Sequence, residues 1–260
     1  MKIVDLTPET IDDSISLCIG SKPGFEQARE EKRRWLEARL PSRVGVKLAY
    51  DEGSLAGMLE YSPIEDTPFP VVGKRLFHIH CLWVLPGFQK RGLAKSLVRS
   101  LVHEAEKRRR NGLSVIAHDG AFFKPISFFA GQKFRTVDRR GHSELMWREI
   151  APSNPPRFIS STFSPSSISD KVNVDVLYCS QCPWTIKSRE RVTRIAKEFG
   201  RDVKVHAVRT DERSVMEDTG DLSGIYVNGE DYYFASSEED IRKMLATKTK
   251  ELHTPTPARR

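Results

Sequence analysis

The segment from Leu76 to Ala105 restricts the fold more than any other part of the chain. It begins with a nine-residue apolar run, LFHIHCLWV, whose length and composition predict a buried β-strand. Pro86 ends this strand within the basic turn LPGFQKRG. The run that follows has the spacing of an amphipathic helix, with one apolar face formed by Leu93, Leu97, Val98, Leu101, Val102 and Ala105. A strand, a turn and a helix in this order predict an α/β fold with a mixed sheet.

The rest of residues 1–150 supplies further strands and helices for the same sheet. The predicted strands are KIVDL, VGVKLAY, SLAGMLEYSP, GLSVIAH and SELMWREI. The predicted helices are residues 8–19, QAREEKRRWLEARL and a short helix in PISFFAGQKF. A hairpin turn is expected at Glu52 and Gly53, and Gly112 is expected to close the long helix in the left-handed conformation.

Residues 151–171 are rich in proline and serine and have no apolar period, so they are predicted to link two domains. Residues 172–246 then read as a strand, a helix, a strand, an acidic helix or turn, a hairpin around Asn228 and Gly229, and a final helix. The polar tail, residues 247–260, is predicted to be disordered. The sequence thus predicts two α/β domains, the second smaller than the first.

Charge and cysteine content narrow the class of protein. Lysine and arginine number 42 against 35 aspartates and glutamates, and nearly all of the excess lies in residues 1–150. This surplus suits a phosphate-bearing ligand, whereas nucleic-acid binding is not favoured, because no aromatic-interleaved basic stripe is present. Four cysteines, no signal peptide and no long apolar run predict a soluble cytoplasmic protein without a membrane segment. The oligomeric state cannot be read from the sequence.

The turn before the amphipathic helix has the features of an anion site. The first amides of a helix have no partner within it, and the helix dipole adds positive charge there. Gly92 permits close approach of a ligand, and Gln89, Lys90 and Arg91 add donors and charge. The alternative interpretation is an ordinary turn with solvated basic residues.

In register, Val84, Pro86, Gln89, Gly92 and Ala94 match the acetyl-CoA motif of the GCN-related N-acetyltransferase (GNAT) family, which this chain resembles over residues 1–150. The segments LSVIAH and FFAGQKF also have counterparts in that family. The resemblance implies a GNAT sheet and acetyl-CoA as co-substrate, without a metal. It further implies that main-chain groups of Leu82, Trp83 and Val84 hold the pantetheine arm. The pyrophosphate would lie against Gln89, Lys90, Arg91, Gly92, Leu93, Ala94 and Lys95.

The segments HIHCLWV, EKRRWLEARL and LEYSP, together with the second domain, resemble the YoaP type of this family. The implied reaction moves an acetyl group from acetyl-CoA directly to a primary amine of an unidentified small molecule or peptide. Glu65 and Asp66 would favour a cationic amine, although surface solvation explains them equally well.

The chemistry requires a base and a proton donor. His78 and His80 are two residues apart and are expected to face the same side of their strand, so either is a candidate base, with Glu60 in reserve. A structural role for the histidines stays open, and a metal site is not favoured because no third ligand is evident.

The family resemblance implies a tyrosine acid near Phe128, where this chain has phenylalanine. Water, His118 or the Cys81 thiol are the alternatives that we consider, or positioning of the amine alone. Strand alternation is expected to turn Cys81 away from the histidines, which argues against an acyl-cysteine route.

Residues 172–246 resemble a thioredoxin-like domain, with Cys179 and Cys182 in a C-x-x-C motif before a helix. The helix start is expected to lower the pKa of Cys179, with Cys182 as its resolving partner. The proline that the resemblance places before the hairpin is absent, because Ser223 and Gly224 occupy that region. The alternative function is therefore a thiol redox or regulatory CoA-binding protein, and a docked domain without chemistry is the third interpretation.

Overall fold

The computed structural model describes residues 1–120, 123–167, 170–232 and 237–253. The chain divides into two compact units, Met1–Ile159 and Ser160–Arg260. The division lies inside the predicted linker, nine residues beyond the end of the predicted first domain at residue 150. The first unit extends this far because Arg157 and Phe158 form a strand that pairs within it.

The first unit contains nine strands and four α-helices among the described residues. The strands are β1 (Lys2–Asp5), β2 (Gly45–Asp51), β3 (Ser54–Pro63), β4 (Val71–Val72), β5 (Leu76–Val84), β6 (Gly112–His118), β7 (Arg135–Arg140), β8 (Ser143–Glu149) and β9 (Arg157–Phe158). The helices are α1 (Ile11–Ile19), α2 (Glu26–Glu37), α3 (Leu93–Lys107) and α4 (Ile126–Ala130). Short 3-10 turns lie at Pro8–Thr10, Ile64–Asp66 and Pro86–Phe88.

The main sheet has seven strands in the order β1-β2-β3-β5-β6-β8-β7, with β5 at its centre. The β5 and β6 pair is parallel and the other pairs are antiparallel, so the predicted mixed α/β sheet is confirmed. The apolar face of α3 is buried as predicted and packs with Phe77 and Ile79 of β5. Trp35 of α2 lies 6.3 Å from the His80 ring, measured between ring centroids, so α2 covers the opposite face of β5.

Two local features differ from the sequence prediction. Strand β7 was not predicted, because its sequence RTVDRR is charged and only its pairing with β8 makes it a strand. Gly112 does not close α3, because Arg109 takes the positive φ of 52° after the helix. Gly112 instead begins β6, where an added Cβ would lie 2.5 Å from the Arg148 carbonyl oxygen, so the close approach of β8 requires glycine there.

The second unit has a four-stranded sheet in the order β11-β10-β12-β13. Its elements are β10 (Val172–Tyr178), α5 (Pro183–Ala196), β11 (Val203–Arg209), α6 (Arg213–Thr219), β12 (Gly224–Val227), β13 (Glu230–Tyr232) and α7 (Glu238–His253). Strands β10 and β11 are parallel, and β12 and β13 form the predicted hairpin around Asn228 and Gly229, both at positive φ. The sheet buries its own apolar core against α5 and α7.

The predicted disorder of residues 247–260 is wrong for residues 247–253. Helix α7 continues to His253, since Leu252 packs against the core of the second unit and extends the apolar face of the helix. Residues 254–260 lie outside the described residues. Within the described ranges, no helix combines the length and apolarity that crossing a membrane demands.

Candidate active site

The central strands β5 and β6 separate part-way along their length. They pair from Leu76 to Ile79 on β5 and from Gly112 to Val115 on β6, and no further pair forms between them in the described residues. Both strands continue beyond this point, because β5 still pairs with β3 and β6 still pairs with β8. The result is a gap in the middle of the sheet, with the second half of β5 on one side.

A β-bulge lies at the start of this gap. Glu60 of β3 is opposite Cys81, whereas Tyr61 is opposite Ile79, so His80 is the extra residue of β5. The bulge places the side chains of His80 and Cys81 on the same face, where both interact with Glu60 and Lys124. The prediction that alternation turns Cys81 away from the histidines is therefore wrong, because the bulge interrupts the alternation.

A buried charge network occupies that face. The Lys32 Nζ atom of α2 lies 2.5 Å from Oε2 of Glu60, and the other carboxylate oxygen lies 3.2 Å from Nδ1 of His80. On the far side of the imidazole, Nε2 lies 2.8 Å from the Ser62 hydroxyl and 3.2 Å from the Thr67 hydroxyl. Lys32 and Glu60 are completely buried, and His80 is 2% exposed.

The pKa shifts in this network fix its protonation state at neutral pH. Burial alone would raise the pKa of Glu60, but the Lys32 charge and the His80 hydrogen bond outweigh it and hold the pKa at about 2. Burial lowers the pKa of His80, and its contact with Glu60 offsets only part of this effect. Burial also opposes the charge of Lys32, but Glu60 outweighs this cost and raises the pKa of the lysine.

An ionised Glu60 can only accept hydrogen bonds, so the His80 proton lies on Nδ1. The lone pair of Nε2 then faces the Ser62 and Thr67 hydroxyls, which can donate to it. This is the protonation state that a general base needs at neutral pH. The candidate base nevertheless has no direct access to solvent in this conformation.

His78 and His80 face the same side, as predicted, with Phe69 beside both of them. The Phe69 ring centroid lies 5.0 Å from each imidazole, stacked on His80 and tilted relative to His78. His78 is fully buried, and its Nδ1 lies 3.0 Å from the Ser114 hydroxyl on β6. Among the described residues no group of three potential ligands is placed to hold a metal ion.

The predicted anion site lies directly after β5. Gly92 takes φ +85° as the residue before α3, and an added Cβ there would meet no atom within 4 Å. The main-chain amides of residues 92–95 form no backbone hydrogen bond with any described residue. The Gln89 side chain instead donates to the Val84 carbonyl oxygen at 3.1 Å, which ties the loop to the end of the strand. Unpaired amides at an open helix start are what an anion requires.

Lys124, which the sequence analysis missed, lies in the gap between the two strands. Its side chain is buried, and Nζ donates to the His80 carbonyl oxygen at 3.2 Å, the first β5 carbonyl beyond the last β5 and β6 pair. The ammonium also lies 5.2 Å from the Phe69 ring centroid and 5.1 Å from that of Phe123. A lone lysine in FFKPI gives no periodic signal, so only the fold reveals this position.

Lys32 was also missed, but its signal is present in the sequence. The buried positions of α2 are Ala28, Lys32, Trp35 and Leu36, at the spacing of one helical face. A lysine on an apolar face points to a buried acidic partner, which the structure identifies as Glu60.

The residues considered as proton donors in place of a tyrosine lie in different environments. Phe128 and Phe129 pack with the core of α3 and supply no hydroxyl. The hydrogen bond with the Cys18 thiol, together with burial, raises the pKa of Cys81 well above its ordinary value. Burial, followed by the charge of Lys124, lowers the pKa of His118.

The carboxylates expected to attract a cationic amine have arginine partners. Glu65 lies 3.0 Å from Arg110, and Asp66 lies 3.3 Å from Arg43. Much of their charge is thus compensated within the protein. A surface cavity of about 550 Å³ beside Tyr50 and Gly53 contains none of the predicted site residues.

Residues 13–121 match the family of GNAT acetyltransferases. The first unit is therefore similar to GNAT acetyltransferases over this range. This match confirms the predicted class of enzyme, an acetyl-CoA-dependent acyltransferase, and its co-substrate.

The chain is 27% identical over 192 residues to "Uncharacterized N-acetyltransferase YoaP" of Bacillus subtilis (strain 168), covering 72% of this chain and 74% of that protein. The predicted YoaP-like resemblance is thereby supported. Among solved structures, the GNAT fold of the first unit is similar to the PaiA N-acetyltransferase from Thermoplasma acidophilum in complex with coenzyme A. That match has 14% identity and a TM-score of 0.41, and it covers 57% of this chain and 99% of the other. The ribosomal-protein-S18-alanine N-acetyltransferase from Escherichia coli matches with 15% identity and a TM-score of 0.45, covering 59% and 96% respectively.

In the second unit, the pKa predicted for Cys179 does not fit the structure. Cys179 is buried at the end of β10, and burial together with the nearby Asp211 raises its pKa well above the ordinary value. The predicted lowering of the Cys179 pKa is therefore wrong. Cys182 is the residue that precedes the first turn of α5, and it is half-buried.

Proposed function

We propose that this chain transfers the acetyl group of acetyl-CoA directly to a primary amine of a small molecule or peptide. The observation that carries the proposal is the gap between β5 and β6, which begins at His80 and continues along the strand that leads to the open start of α3. A thioester donor needs this combination of an unpaired strand edge and an anion site beside it.

In the proposed complex the pyrophosphate lies against the amides of residues 92–95, with the side chains of Gln89, Lys90, Arg91 and Lys95 around it. The pantetheine arm follows the main chain of Leu82, Trp83 and Val84 toward the bulge. The stretch from His80 to Val84 spans about 13 Å at the rise of a β-strand. The thioester would therefore lie close to His80.

We assign the general base to His80 in preference to His78 and Glu60. Glu60, with a pKa of about 2, is too weak a base at neutral pH. Nδ1 of His78 contacts the Ser114 hydroxyl, whereas Nδ1 of His80 contacts the Glu60 carboxylate, which fixes the tautomer of His80. Because His80 is buried, it would take the amine proton through the Ser62 or Thr67 hydroxyl.

The anion site is tested by calorimetric titration of the full chain with acetyl-CoA. Gly92→Glu places a carboxylate beside the pyrophosphate, and Gly92→Gln is the matched neutral control with the same backbone strain. Two like charges 4 Å apart repel by about 4 kcal/mol at an effective dielectric of 20. We expect affinity to fall at least about 100-fold in Gly92→Glu relative to Gly92→Gln. Equal affinities would show that the pyrophosphate lies elsewhere.

The reaction is tested by incubating the chain with acetyl-CoA and a panel of primary amines. Release of free CoA thiol together with a product heavier by one acetyl group is the expected result. His80→Gln should lower the rate about 100-fold or more, as expected for loss of a general base. If no amine in a metabolite extract is acetylated, the transferase proposal fails.

A second candidate function concerns the second unit, which we propose is thioredoxin-like. The supporting observations are its parallel β10 and β11 pair, the following hairpin, and a C-x-x-C pair at the start of α5. In such a domain Cys182, at the helix start and half-buried, would be the attacking thiol, and the buried Cys179 would be its partner. Reduction of insulin disulfides, lost in Cys182→Ser, is the expected result, and no reduction by the wild-type chain would contradict it.

A further inference from the structure

Lys124 is a buried lysine that has no role in the proposed general base or in the proposed anion site. It lies in the short loop between β6 and α4, at a positive φ of 51°. The His118 amide of β6 donates to its carbonyl oxygen at 3.1 Å, which anchors the residue at the end of that strand. Its side chain reaches β5, where Nζ donates to the His80 carbonyl oxygen. The lysine is therefore held from one strand and bonded to the other, across the gap.

Aromatic rings lie beside the Lys124 ammonium in the gap between the two strands. The Phe69 and Phe123 rings lie within cation-π distance of the ammonium. The titratable groups whose pKa Lys124 influences include His80 and Cys81 on β5 and His118 on β6. Neither histidine is favoured as a cation there, and the Cys81 thiol stays protonated.

A donor seated as proposed would bring its sulfur atom to this position. The pantetheine arm is proposed to follow β5 from Val84, next to the anion site, back to His80. The His80 carbonyl oxygen lies at the inner end of this stretch, about 13 Å along the strand from Val84. We propose that Lys124 stabilises the thiolate that leaves acetyl-CoA, and so replaces the tyrosine that the family resemblance implies near Phe128. This inference rests on the proposed function.

The step balances without a further reactant. The amine nitrogen forms a bond to the acetyl carbon, the C–S bond breaks, and its electron pair goes to sulfur. The nitrogen then gives its proton to His80 through the Ser62 or Thr67 hydroxyl, and the resulting imidazolium balances the negative charge on the thiolate. The Lys124 ammonium acts by its charge and its hydrogen bonds, and the sulfur takes a proton from solvent after release.

The test measures the pKa of the CoA thiol while CoA is bound to the full chain. Thiolate absorbance in the ultraviolet is followed across a pH series, and the complex with desulfo-CoA is subtracted to remove the signal of the protein cysteines. In the wild type we expect the thiol pKa to lie about one to three units below that of free CoA. In Lys124→Met it should return to the free value, and in Lys124→Arg it should fall again.

Lys107→Met is the matched control, since Lys107 is exposed at the far end of α3. It should keep the wild-type thiol pKa. A wild-type complex whose thiol pKa equals that of free CoA would overturn the inference, whatever the variants do. The same thiol pKa in the wild type and in a folded Lys124→Met would also overturn it. Failure of the wild-type chain to bind CoA would instead overturn the proposed function itself, so the two failures are distinguishable.

Discussion

The Lys32 and Glu60 pair permits a test of the network that needs no ligand. In Lys32→Met the methionine fills similar space, but Glu60 loses the cation 2.5 Å from its carboxylate. Because both side chains are completely buried, an unpaired charge remains in the core, which costs about 3–5 kcal/mol. The pKa of Glu60 gives a similar magnitude, since a fall from 4.5 to about 2 corresponds to about 3 kcal/mol.

Urea unfolding of the full chain at pH 7 measures this effect. Tryptophan fluorescence reports on the site directly, because the Trp35 ring centroid lies 4.7 Å from the Lys32 nitrogen. The matched control is Lys32→Met combined with Glu60→Gln, in which no buried charge is left. We expect this double variant to recover at least half of the stability lost in the single variant.

The pH dependence of Lys32→Met gives a second readout with a defined sign. Without the lysine, burial raises the pKa of Glu60 above its unfolded value, so the folded state binds the extra proton. The stability of the variant should then increase as the pH falls from 7 to 5, while the wild type shows no such gain. A loss below about 1 kcal/mol at pH 7, or a double variant as unstable as the single one, would refute the buried-charge reasoning.

Three further predictions follow from the same structure. The low pKa of Glu60 stabilises the wild-type fold above pH 4.5. About 3 kcal/mol of the free energy of unfolding should therefore be lost as the pH falls from 4.5 to 2. Urea midpoints that stay constant over this pH range would contradict the prediction. Gly92→Ala introduces a side chain at φ +85° without a clash and should cost about 1–2 kcal/mol by thermal unfolding, whereas a stabilised variant would argue against the left-handed conformation. Burial and Asp211 keep the Cys179 thiol protonated, so iodoacetamide should modify Cys182 faster than Cys179 at pH 7, as seen by peptide mass spectrometry; equal rates would contradict the assigned environments.

The sequence alone predicts an element correctly where its apolar pattern matches the burial of its residues in the fold. The apolar run of β5 is long and uncharged, and the apolar residues of α3 lie on one face, so both elements and their order were predictable. Glycine at position 92 likewise indicates the left-handed residue before α3, since few other residues adopt that conformation. The hairpin turns at Glu52 and Gly53 and at Asn228 and Gly229 follow from the same property.

The sequence was insufficient where a charged residue is buried by long-range pairing. A lysine is assigned to the surface unless its partner is known, and the partners of Lys32 and Lys124 lie 28 and 44 residues away. Cys179 was assigned to a helix start because the C-x-x-C motif precedes a helix, yet α5 begins only after Cys182. The position of Lys32 on the apolar face of α2 indicates its burial but does not identify its partner. Local propensity carries no information on which residues the tertiary fold brings together around Lys124 and Cys179.

His80, the extra residue of β5, reverses the alternation of side chains between the two faces of the strand. Before it, the residues that pack against α3 have odd numbers, Phe77 and Ile79, and after it they have even numbers, Leu82 and Val84. Deleting one residue here would rotate the far half of the strand by half a turn. Leucine and valine would leave the core, and the peptide groups next to the gap would point to β3 instead. We infer that the length of this strand is less tolerant of change than the identity of any one of its side chains.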